Sequence, residues 1–549
     1  MKKIVIVGGV AGGASAAARL RRLDEDSEIV LFERGAHISY ANCGLPYYIG
    51  NVIKKEEDLL LQTPESFHKR FRVDVRVMSE VISIIRDKKK VIVKNLGSEE
   101  TYEESYDQLI LSPGAAAFSP EIPGIHLPKV YRLRTVADSK AIRKAARRRD
   151  HKKAVVIGGG FIGMEVMENL VARGLEVALI EAAPQILTQF DEEMSQILTK
   201  KIEASGVDVR LNSQVKSIDS EGGQYEVVLK SGERVSCDFV VAAIGVLPET
   251  TLAREAGLTL NERGAIVTES DLRTSDPNIY ALGDAIEVLN RVTGRKVLLP
   301  LAGSANKQGR IAAGNVTGRS DHFSGVIGSS VLKVFDLTAA CTGVNERTLK
   351  AEEIAYEKIY LSPTNHAGYY PGGTPITMKV LFSPDGKLLG VQGIGQEGTE
   401  KRVDVIGTAI HFGGQISDLA DLELCYAPPY SSAKDPVNMV GFMGCNVIAG
   451  LSKIKHWHDL QSRNDETSIL LDVRSEEEYA WGHLEGAVNI PVDELRERLE
   501  EVPEDKAVWI YCQMGIRGYI AQRILMQKGF GEVYNLSGGY ELLCAVGMV

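Results

Sequence analysis

Cysteine is scarce. There are seven in 549 residues, too few and too scattered for a disulfide framework, which excludes the small secreted scaffolds that cystines hold together. A reducing cytoplasm is the expected compartment. Neither Cys43 nor Cys512 has a second cysteine near enough in sequence for a local disulfide. Each is therefore expected to react with sulfur on another molecule. Long apolar runs are missing too: the stretch Val437 to Leu451 is broken by Asn438, Asn446 and several glycines, so no membrane span is expected. Positive charge is not in excess. The formal net charge of -10 argues against nucleic acid as a partner. No metal site is expected.

What is present is an ordinary globular composition, 44% hydrophobic, on a chain long enough for three or four domains. Met1-Lys2-Lys3 and the apolar, Ala-rich stretch after it resemble a short secretory signal. Cleavage after Ala16-Ala17-Ala18 would destroy a phosphate-binding turn, so strand, Gly-rich turn and helix is the preferred reading. Ile4 to Val7 is a β-branched run suited to a strand buried on both faces. Gly8-Gly9-Val10-Ala11-Gly12-Gly13 follows, then a predicted helix from Ala14 to Leu23 and a strand from Glu28 to Glu33. The pattern recurs: strand Ala154 to Ile157, Gly158-Gly159-Gly160-Phe161-Ile162-Gly163, helix to Arg173, strand Glu176 to Glu181. This duplication predicts two Rossmann-like dinucleotide sites. The basic run Lys140 to Lys153 reads as a solvated helix and loop rather than an anion site.

The second fingerprint is the cleaner one. Gly158 permits the tight turn, Gly160 lets backbone approach a pyrophosphate, and Gly163 lets helix and strand pack closely. Glu181 stands where an acid binds a ribose 2′-OH. Ala182 and Ala183 follow, with no arginine for a 2′-phosphate, which favours NADH and leaves NADPH open. In the first fingerprint Val10 replaces the middle glycine. Glu33 supports a ribose contact, and Asp284, ending Thr274 to Asp284, reads either as a ligand carboxylate or as a helix N-cap before Ala285.

The Thr274 to Asp284 segment, Leu111-Ser112-Pro113-Gly114-Ala115 and Ile244-Gly245-Val246-Leu247-Pro248 together resemble the flavoprotein disulfide reductases with two dinucleotide domains. The resemblance covers residues 1 to 445. It implies an FAD-binding domain at 1–115 and 250–325, an NAD(P)H-binding domain at 116–249, and an α+β interface domain at 326–445 that forms a homodimer. It implies FAD contacts at Gly8, Gly12, Gly13, Glu33, Arg34, Pro113, Gly114 and Asp284. Most members carry a Cys-x4-Cys disulfide, but Tyr48 stands five after Cys43. Ser39-x-x-x-Cys43 instead resembles the single-cysteine branch of NADH oxidases, NADH peroxidases and coenzyme A disulfide reductases. A thiolate at Cys43 is the reactive form, and a nearby flavin and a helix N-terminus are expected to lower its pKa; the alternative is a buried inert cysteine.

Ser15, Arg19 and Arg22 recur at helical spacing, either as a solvated basic face or as a bidentate clamp on phosphate. Tyr426-Ala427-Pro428-Pro429-Tyr430-Ser431 and Tyr369-Tyr370-Pro371-Gly372 are similar to segments of coenzyme A disulfide reductases. There two tyrosines, matching Tyr369 and Tyr426, reach the reactive cysteine of the other subunit and serve a leaving thiolate. Within that resemblance Ser15, Arg19, Arg22, Ser39, Asn42, Asn306 and Lys434 match coenzyme A contacts. Phe71 stands where that family has a lysine, with Arg70 or Arg72 as replacements.

After a linker near residues 446 to 460 the chain restarts as a small α/β pattern, with strands at Ile469 to Val473, Val508 to Tyr511 and Glu532 to Asn535. Leu471-Asp472-Val473-Arg474, Gly482-His483-Leu484-Glu485-Gly486-Ala487, the Cys512 loop and Asn535-Leu536-Ser537-Gly538-Gly539-Tyr540 resemble a rhodanese domain at 456–549. The resemblance implies that Cys512 carries sulfane sulfur in a nest of backbone N–H groups and that Arg517 steadies the anion. The six-residue loop suits sulfur rather than phosphate. Gln513 replaces the basic residue of thiosulfate-cleaving rhodaneses.

The fold expected is α/β: two Rossmann-like domains, an α+β interface domain and a C-terminal α/β rhodanese domain. The function expected is reduction of coenzyme A disulfide, persulfide or polysulfide by NADH and FAD through a Cys43–coenzyme A mixed disulfide. The partners are small-molecule disulfides and persulfides. Two alternatives stand: an NADH oxidase or peroxidase using a Cys43 sulfenic acid, and a non-enzymatic sulfur carrier or redox sensor.

Overall fold

The computed structural model describes residues 2–549. They form two compact units: residues up to Pro184 together with Val207–Val326, and Gln185–Gly206 together with Ile327–Val549.

In the first unit, strand Lys3–Val7 lies at the centre of a five-stranded parallel sheet in the order Ile279–Ala281, Gln108–Leu111, Lys3–Val7, Glu28–Phe32, Asp74–Arg76. Ile4, Val5 and Ile6 expose nothing, which is why the strand reads as a continuous apolar run rather than an alternation. The helix after the glycine turn spans Ala11–Leu23, three residues earlier than its sequence suggests. It packs on helix Ala302–Val316. Gly309 makes that approach possible: a Cβ there would stand 2.4 Å from the Gly12 carbonyl oxygen.

The second fingerprint builds the same sheet again, in the order Asp208–Arg210, Glu176–Ile180, Lys153–Ile157, Phe239–Ala242, Val130–Tyr131. Its helix, Phe161–Val171, stops short of Arg173. Gly174, at φ +82°, takes the left-handed position and Leu175 N–H returns to the Leu170 carbonyl, a glycine stop. Each parallel sheet is interrupted in the chain by a three-stranded meander, Ser79–Ile85 with Lys90–Asn95 and Thr101–Ser105 before strand Gln108–Leu111, and Val215–Glu221 with Gln224–Leu229 and Arg234–Cys237 before strand Phe239–Ala242. The internal repeat thus extends well beyond the glycines.

The basic run divides. Arg148 pairs at the surface with Asp150 at 2.7 Å. Arg143, on helix Val136–Ala146, is buried and donates to the carbonyls of Tyr48, Ile53 and Lys54 and to Asn51 Oδ1 at 2.7–3.1 Å. Its guanidinium lies 4.0 Å from the Tyr48 ring centroid, so Tyr48, five residues after Cys43, is locked into the core.

The second unit carries a five-stranded antiparallel sheet, Ser330–Val334, Leu337–Gly343, Leu388–Gly395, Ile376–Phe382, Glu357–Leu361. At its heart Lys379 is fully buried among Asp191, at 2.8 Å, and the carboxylates of Glu193 and Glu346. Those three carboxylates come within 4.8 Å of one another, a spacing that also suits a metal ion; here the Lys379 ammonium supplies the cation. Burial opposes the charge, but the carboxylates hold Lys379 above its ordinary range.

A parallel sheet, Ile454–Lys455, Val533–Leu536, Ala507–Tyr511, Ser468–Asp472, Ala487–Asn489, completes this unit. Ile454 and Lys455 fall inside the stretch that the sequence suggests is linker, and helix Pro436–Ile448 enters it from the other side. The reason is long-range: Ile454 and Lys455 pair with Asn535 and Leu536, and a two-residue edge strand leaves no periodic signal. Tyr360 of the antiparallel sheet donates its N–H to Ser537 Oγ at 2.9 Å.

Candidate active site

Both glycine turns have one geometry. Gly8 and Gly158 sit at φ +99° and +106°. A Cβ on Gly13 or Gly163 would stand 1.8 Å from the carbonyl oxygen of Gly8 or Gly158. Glu33 accepts the N–H groups of Gly9 at 2.8 Å and Gly35 at 2.7 Å; Glu181 accepts those of Gly159 at 2.6 Å and Ala183 at 2.7 Å. Val10 therefore occupies the middle-glycine position without disturbing the turn. Gly8, Gly12, Glu33, Arg34, Pro113, Gly114 and Asp284 line one cavity of about 410 Å³. Asp284 caps no helix; its Oδ2 accepts Arg134 Nη2 at 3.3 Å.

An adjoining cavity of about 740 Å³ shares Asn42, Arg134 and Asp284 with the first and holds Cys43, Ser15, Arg19, Arg22, Ser39 and Asn306. Ser15 Oγ donates to Asn306 Oδ1 at 2.6 Å, fixing the two helices' polar edges. Ser39 is held at φ +46° with its N–H on the Gly9 carbonyl, a backbone conformation uncommon for a residue with a Cβ. Arg19 Nε and Asn42 Oδ1 are buried without a hydrogen-bond partner, as expected of groups that serve a ligand. Arg70 and Phe71 line the cavity and Arg72 does not. Lys434 lies in the second unit, its carbonyl accepting Ser432 Oγ.

Cys43 is exposed, in a single 3₁₀ turn, Asn42–Gly44, leading into the five-residue helix Leu45–Ile49. The protein's own groups do not lower its pKa: partial burial, Glu165 and Asp284 push the thiol up, and Arg134 offsets part of this. Glu165 accepts the Tyr47 hydroxyl at 3.2 Å. Burial, with help from Glu168, pushes its carboxyl up to about 7. Because ionised Glu165 opposes the Cys43 thiolate, Glu165→Gln is expected to move the midpoint of Cys43 alkylation to lower pH. Iodoacetamide rates between pH 6 and 10 measure this; a midpoint that stays or rises contradicts the coupling. Cys237 and Cys341, by contrast, are buried and pushed up to about 12 and about 11 by burial, the state of structural cysteines.

In the second unit Tyr369 and Tyr426 hydrogen-bond through their hydroxyls at 2.8 Å, although the two residues are 75% and 48% exposed. At the Cys512 loop, Sγ is buried and accepts the Gly515 N–H at 3.0 Å. Asn535 Nδ2 holds the Gly515 carbonyl at 3.2 Å, and helix Ile516–Gln527 begins there. Both Nη atoms of Arg517 are engaged by Glu478, at 2.6 and 2.7 Å.

The pyridine nucleotide-disulphide oxidoreductase family matches residues 2–313, its dimerisation domain residues 329–436, and the rhodanese-like domain residues 456–545. The chain belongs to the pyridine nucleotide-disulphide oxidoreductase family. It is an enzyme of that family with a rhodanese-like domain at its C-terminal end. A coenzyme A disulfide reductase of Staphylococcus epidermidis is 37% identical over 444 residues, 80% of this chain and 99% of the relative. The reduced CoADR-RHD of Bacillus anthracis is 48% identical, with a TM-score of 0.97 over 99% of this chain and 98% of its own. A NAD-dependent persulfide reductase from A. fulgidus is 37% identical, with a TM-score of 0.93 over 98% and 99%.

Three residues of this oxidoreductase escape a sequence reading. Arg310 lines the Cys43 cavity from helix Ala302–Val316 and acts on Arg19, whose pKa is lowered by desolvation and by Arg310, Arg22 and Arg319. It stands four after Asn306, so the helical spacing that exposed Arg19 carries the signal. Glu165 lies two after Gly163, in the first turns of its helix. Glu478 has no sequence signal that ties it to Arg517, 39 residues on.

Proposed function

We propose that this chain reduces coenzyme A disulfide and coenzyme A persulfide, and through them polysulfide, with NADH as electron donor. Family membership implies FAD and NAD(H), and the two glycine cradles with Glu33 and Glu181 suit them; Glu181, followed by Ala182 and Ala183, favours NADH. The observation that carries the reading is the single cavity holding Cys43 with Arg19, Arg22 and Arg310, directly beside the cavity of the first cradle. The lining around Cys43 offers arginines for phosphate and a thiol for disulfide exchange, the two chemistries a coenzyme A molecule calls for.

When bound, FAD supplies the two-electron relay between nicotinamide and sulfur. Arg19, Arg22 and Arg310 take the phosphates. Ser39 and Asn42 position the pantetheine end against Cys43. Cys43 holds coenzyme A as a mixed disulfide in the resting state; after reduction its thiolate attacks the next disulfide or persulfide and a thiolate leaves. Tyr369 and Tyr426 of a partner subunit, in a homodimer built through residues 326–445, donate the proton that the leaving thiolate takes up, with Lys434 of that subunit on the coenzyme A side. The sums are NADH, a proton and coenzyme A disulfide giving NAD⁺ and two thiols, or NADH, a proton and coenzyme A persulfide giving NAD⁺, coenzyme A and hydrogen sulfide. Cys512 loads sulfane sulfur for this reduction.

Anaerobic NADH consumption with coenzyme A disulfide or persulfide tests the reading, against oxygen or peroxide as sole acceptor. Turnover on oxygen or peroxide alone, with none on the sulfur compounds, sinks it. Arg19→Ala and Arg310→Ala are each expected to raise KM for coenzyme A disulfide by about tenfold, the loss of one charge-assisted contact, with kcat little changed. An unchanged KM for both removes the phosphate assignment.

A further inference from the structure

The two tyrosines that meet by their hydroxyls stand on two irregular loops. Tyr369 lies in 362–375, between strands Glu357–Leu361 and Ile376–Phe382. Tyr426 lies in 422–435, between helices Ile416–Asp421 and Pro436–Ile448. Both rings are exposed, so packing around them does not fix the pair. What ties the loops together is buried. Arg402, on helix Thr399–His411, is 2% exposed. Its Nη2 lies 2.8 Å from the carbonyl oxygen of Asn365, four residues before Tyr369, and 3.2 Å from that of Tyr430, four residues after Tyr426. The same atom lies 2.9 Å from Asp435 Oδ2 and 3.3 Å from Ser431 Oγ, and Nη1 donates to the Gly398 carbonyl at 3.1 Å. Asp435 also accepts Ser431 Oγ at 2.5 Å and the Val437 N–H at 3.0 Å. The Ala367 N–H donates to the Ser431 carbonyl at 3.0 Å, loop to loop.

We propose that Arg402 is the positioning residue of the Tyr369–Tyr426 pair: by holding both loops to one guanidinium it keeps the two hydroxyls together, so that the pair delivers a proton to the departing thiolate. The inference rests on the reading of those tyrosines as proton donors. A buried guanidinium is costly unless its donors are met. Here backbone carbonyls of both loops and the Asp435 carboxylate meet them, and the planar fork fixes direction as well as distance. A lysine ammonium would keep the charge and lose the fork. The hydrogen bond to Tyr426 raises the Tyr369 phenol above its ordinary range, so the pair keeps its protons at neutral pH. In the step served, the cysteine thiolate across the homodimer attacks one sulfur of the disulfide. The old S–S bond breaks, a new one forms, and the departing thiolate takes the phenolic proton, which solvent then restores. There is no net oxidation or reduction in this exchange. Loss of alignment slows it only where the departing thiolate is a strong base.

The test compares two substrates with the full-length holoenzyme. Coenzyme A disulfide releases a strongly basic thiolate; the mixed disulfide of coenzyme A with thionitrobenzoate releases a weakly basic one that needs no proton. Arg402→Lys is expected to lower kcat on coenzyme A disulfide roughly ten- to a hundredfold, and on the mixed disulfide by less than about twofold. Combined with Tyr369→Phe, it is expected to add less than about twofold to the loss that Tyr369→Phe causes alone, because both remove one function. Ser431→Ala, which removes a single hydroxyl beside the guanidinium, is expected to shift the ratio of the two kcat values the same way by about threefold. It decides the matter if Arg402→Lys does not fold. Equal losses on the two substrates, no loss on either, or full additivity with Tyr369→Phe overturns the positioning role. Wild-type turnover of coenzyme A disulfide by both Tyr369→Phe and Tyr426→Phe overturns the reading of the tyrosines as donors, and the inference with it.

Discussion

Cys43→Ser is expected to lower NADH-dependent reduction of coenzyme A disulfide by at least about a thousandfold, because a hydroxyl at neutral pH neither attacks sulfur nor holds a mixed disulfide. The cavity beside it loses only one sulfur atom's polarisability, so flavin binding and flavin reduction by NADH should survive. Stopped-flow bleaching of the flavin by NADH and steady-state turnover, measured on the same preparation, separate the two. Intact-mass analysis adds a second reading. The wild type should carry a coenzyme A adduct that reductant removes, and Cys43→Ser should carry none. If Cys43→Ser keeps a tenth of wild-type turnover, the electrons leave by another route. The exposure of Cys43 and its place in a cavity that joins the first cradle make this the residue with the largest effect on activity.

The largest effect on stability is expected at Lys379. Lys379→Met leaves Asp191, Glu193 and Glu346 buried around an apolar side chain, and breaking such a buried arrangement costs about 3–5 kcal/mol. The unfolding transition of the second unit, followed by urea titration with the first unit's flavin as an internal reference, measures it. The contribution of Glu346 to the pH dependence should change sign. In the wild type, burial raises Glu346 but Lys379 and Lys358 outweigh it, so its folded pKa lies below the ordinary carboxyl value. Its contribution is then present above the unfolded pKa and lost as pH falls. In Lys379→Met, burial and mutual repulsion push the carboxyl groups up, the folded state binds more protons than the unfolded chain, and stability rises as pH falls from 7 toward 5. A variant that loses less than about 1 kcal/mol and keeps the wild-type pH slope shows that the carboxylates find other partners.

The same cluster illustrates what a sequence hides. Lys379 reads as one alternating position on a strand, and Asp191 and Glu193 as the acidic start of a helix. Their meeting depends on residues separated by 186 positions, and no local periodicity encodes it. The short edge strand Ile454–Lys455 is hidden for the same reason. The cavity around Cys43 was legible in a different way. Ser15, Arg19 and Arg22 follow helical spacing, and the structure puts them in one cavity with Ser39, Asn42 and Asn306. Arg310 joins them only because Gly309 lets two helices touch. The protein's own groups push the Cys43 thiol up, because partial burial and the carboxylates of Glu165 and Asp284, brought from distant segments, outweigh Arg134.

By itself, the sequence determined the duplicated glycine turns with their following acids, the absence of a second cysteine at position 48, and the loop that begins at Cys512. These are local: φ > 0 at a glycine, a carboxylate at a strand end and a sulfur in a tight turn need only a few neighbouring residues to be meaningful. Tertiary structure alone decided the charge around each sulfur. Whether an arginine is free or taken depends on which acid the fold brings to it, and Coulomb interactions over a few ångströms in a partly buried site follow distance in space, not separation along the chain. So Cys43 lies in a cavity with arginines from two helices, while Arg517 of the Cys512 loop is held by Glu478.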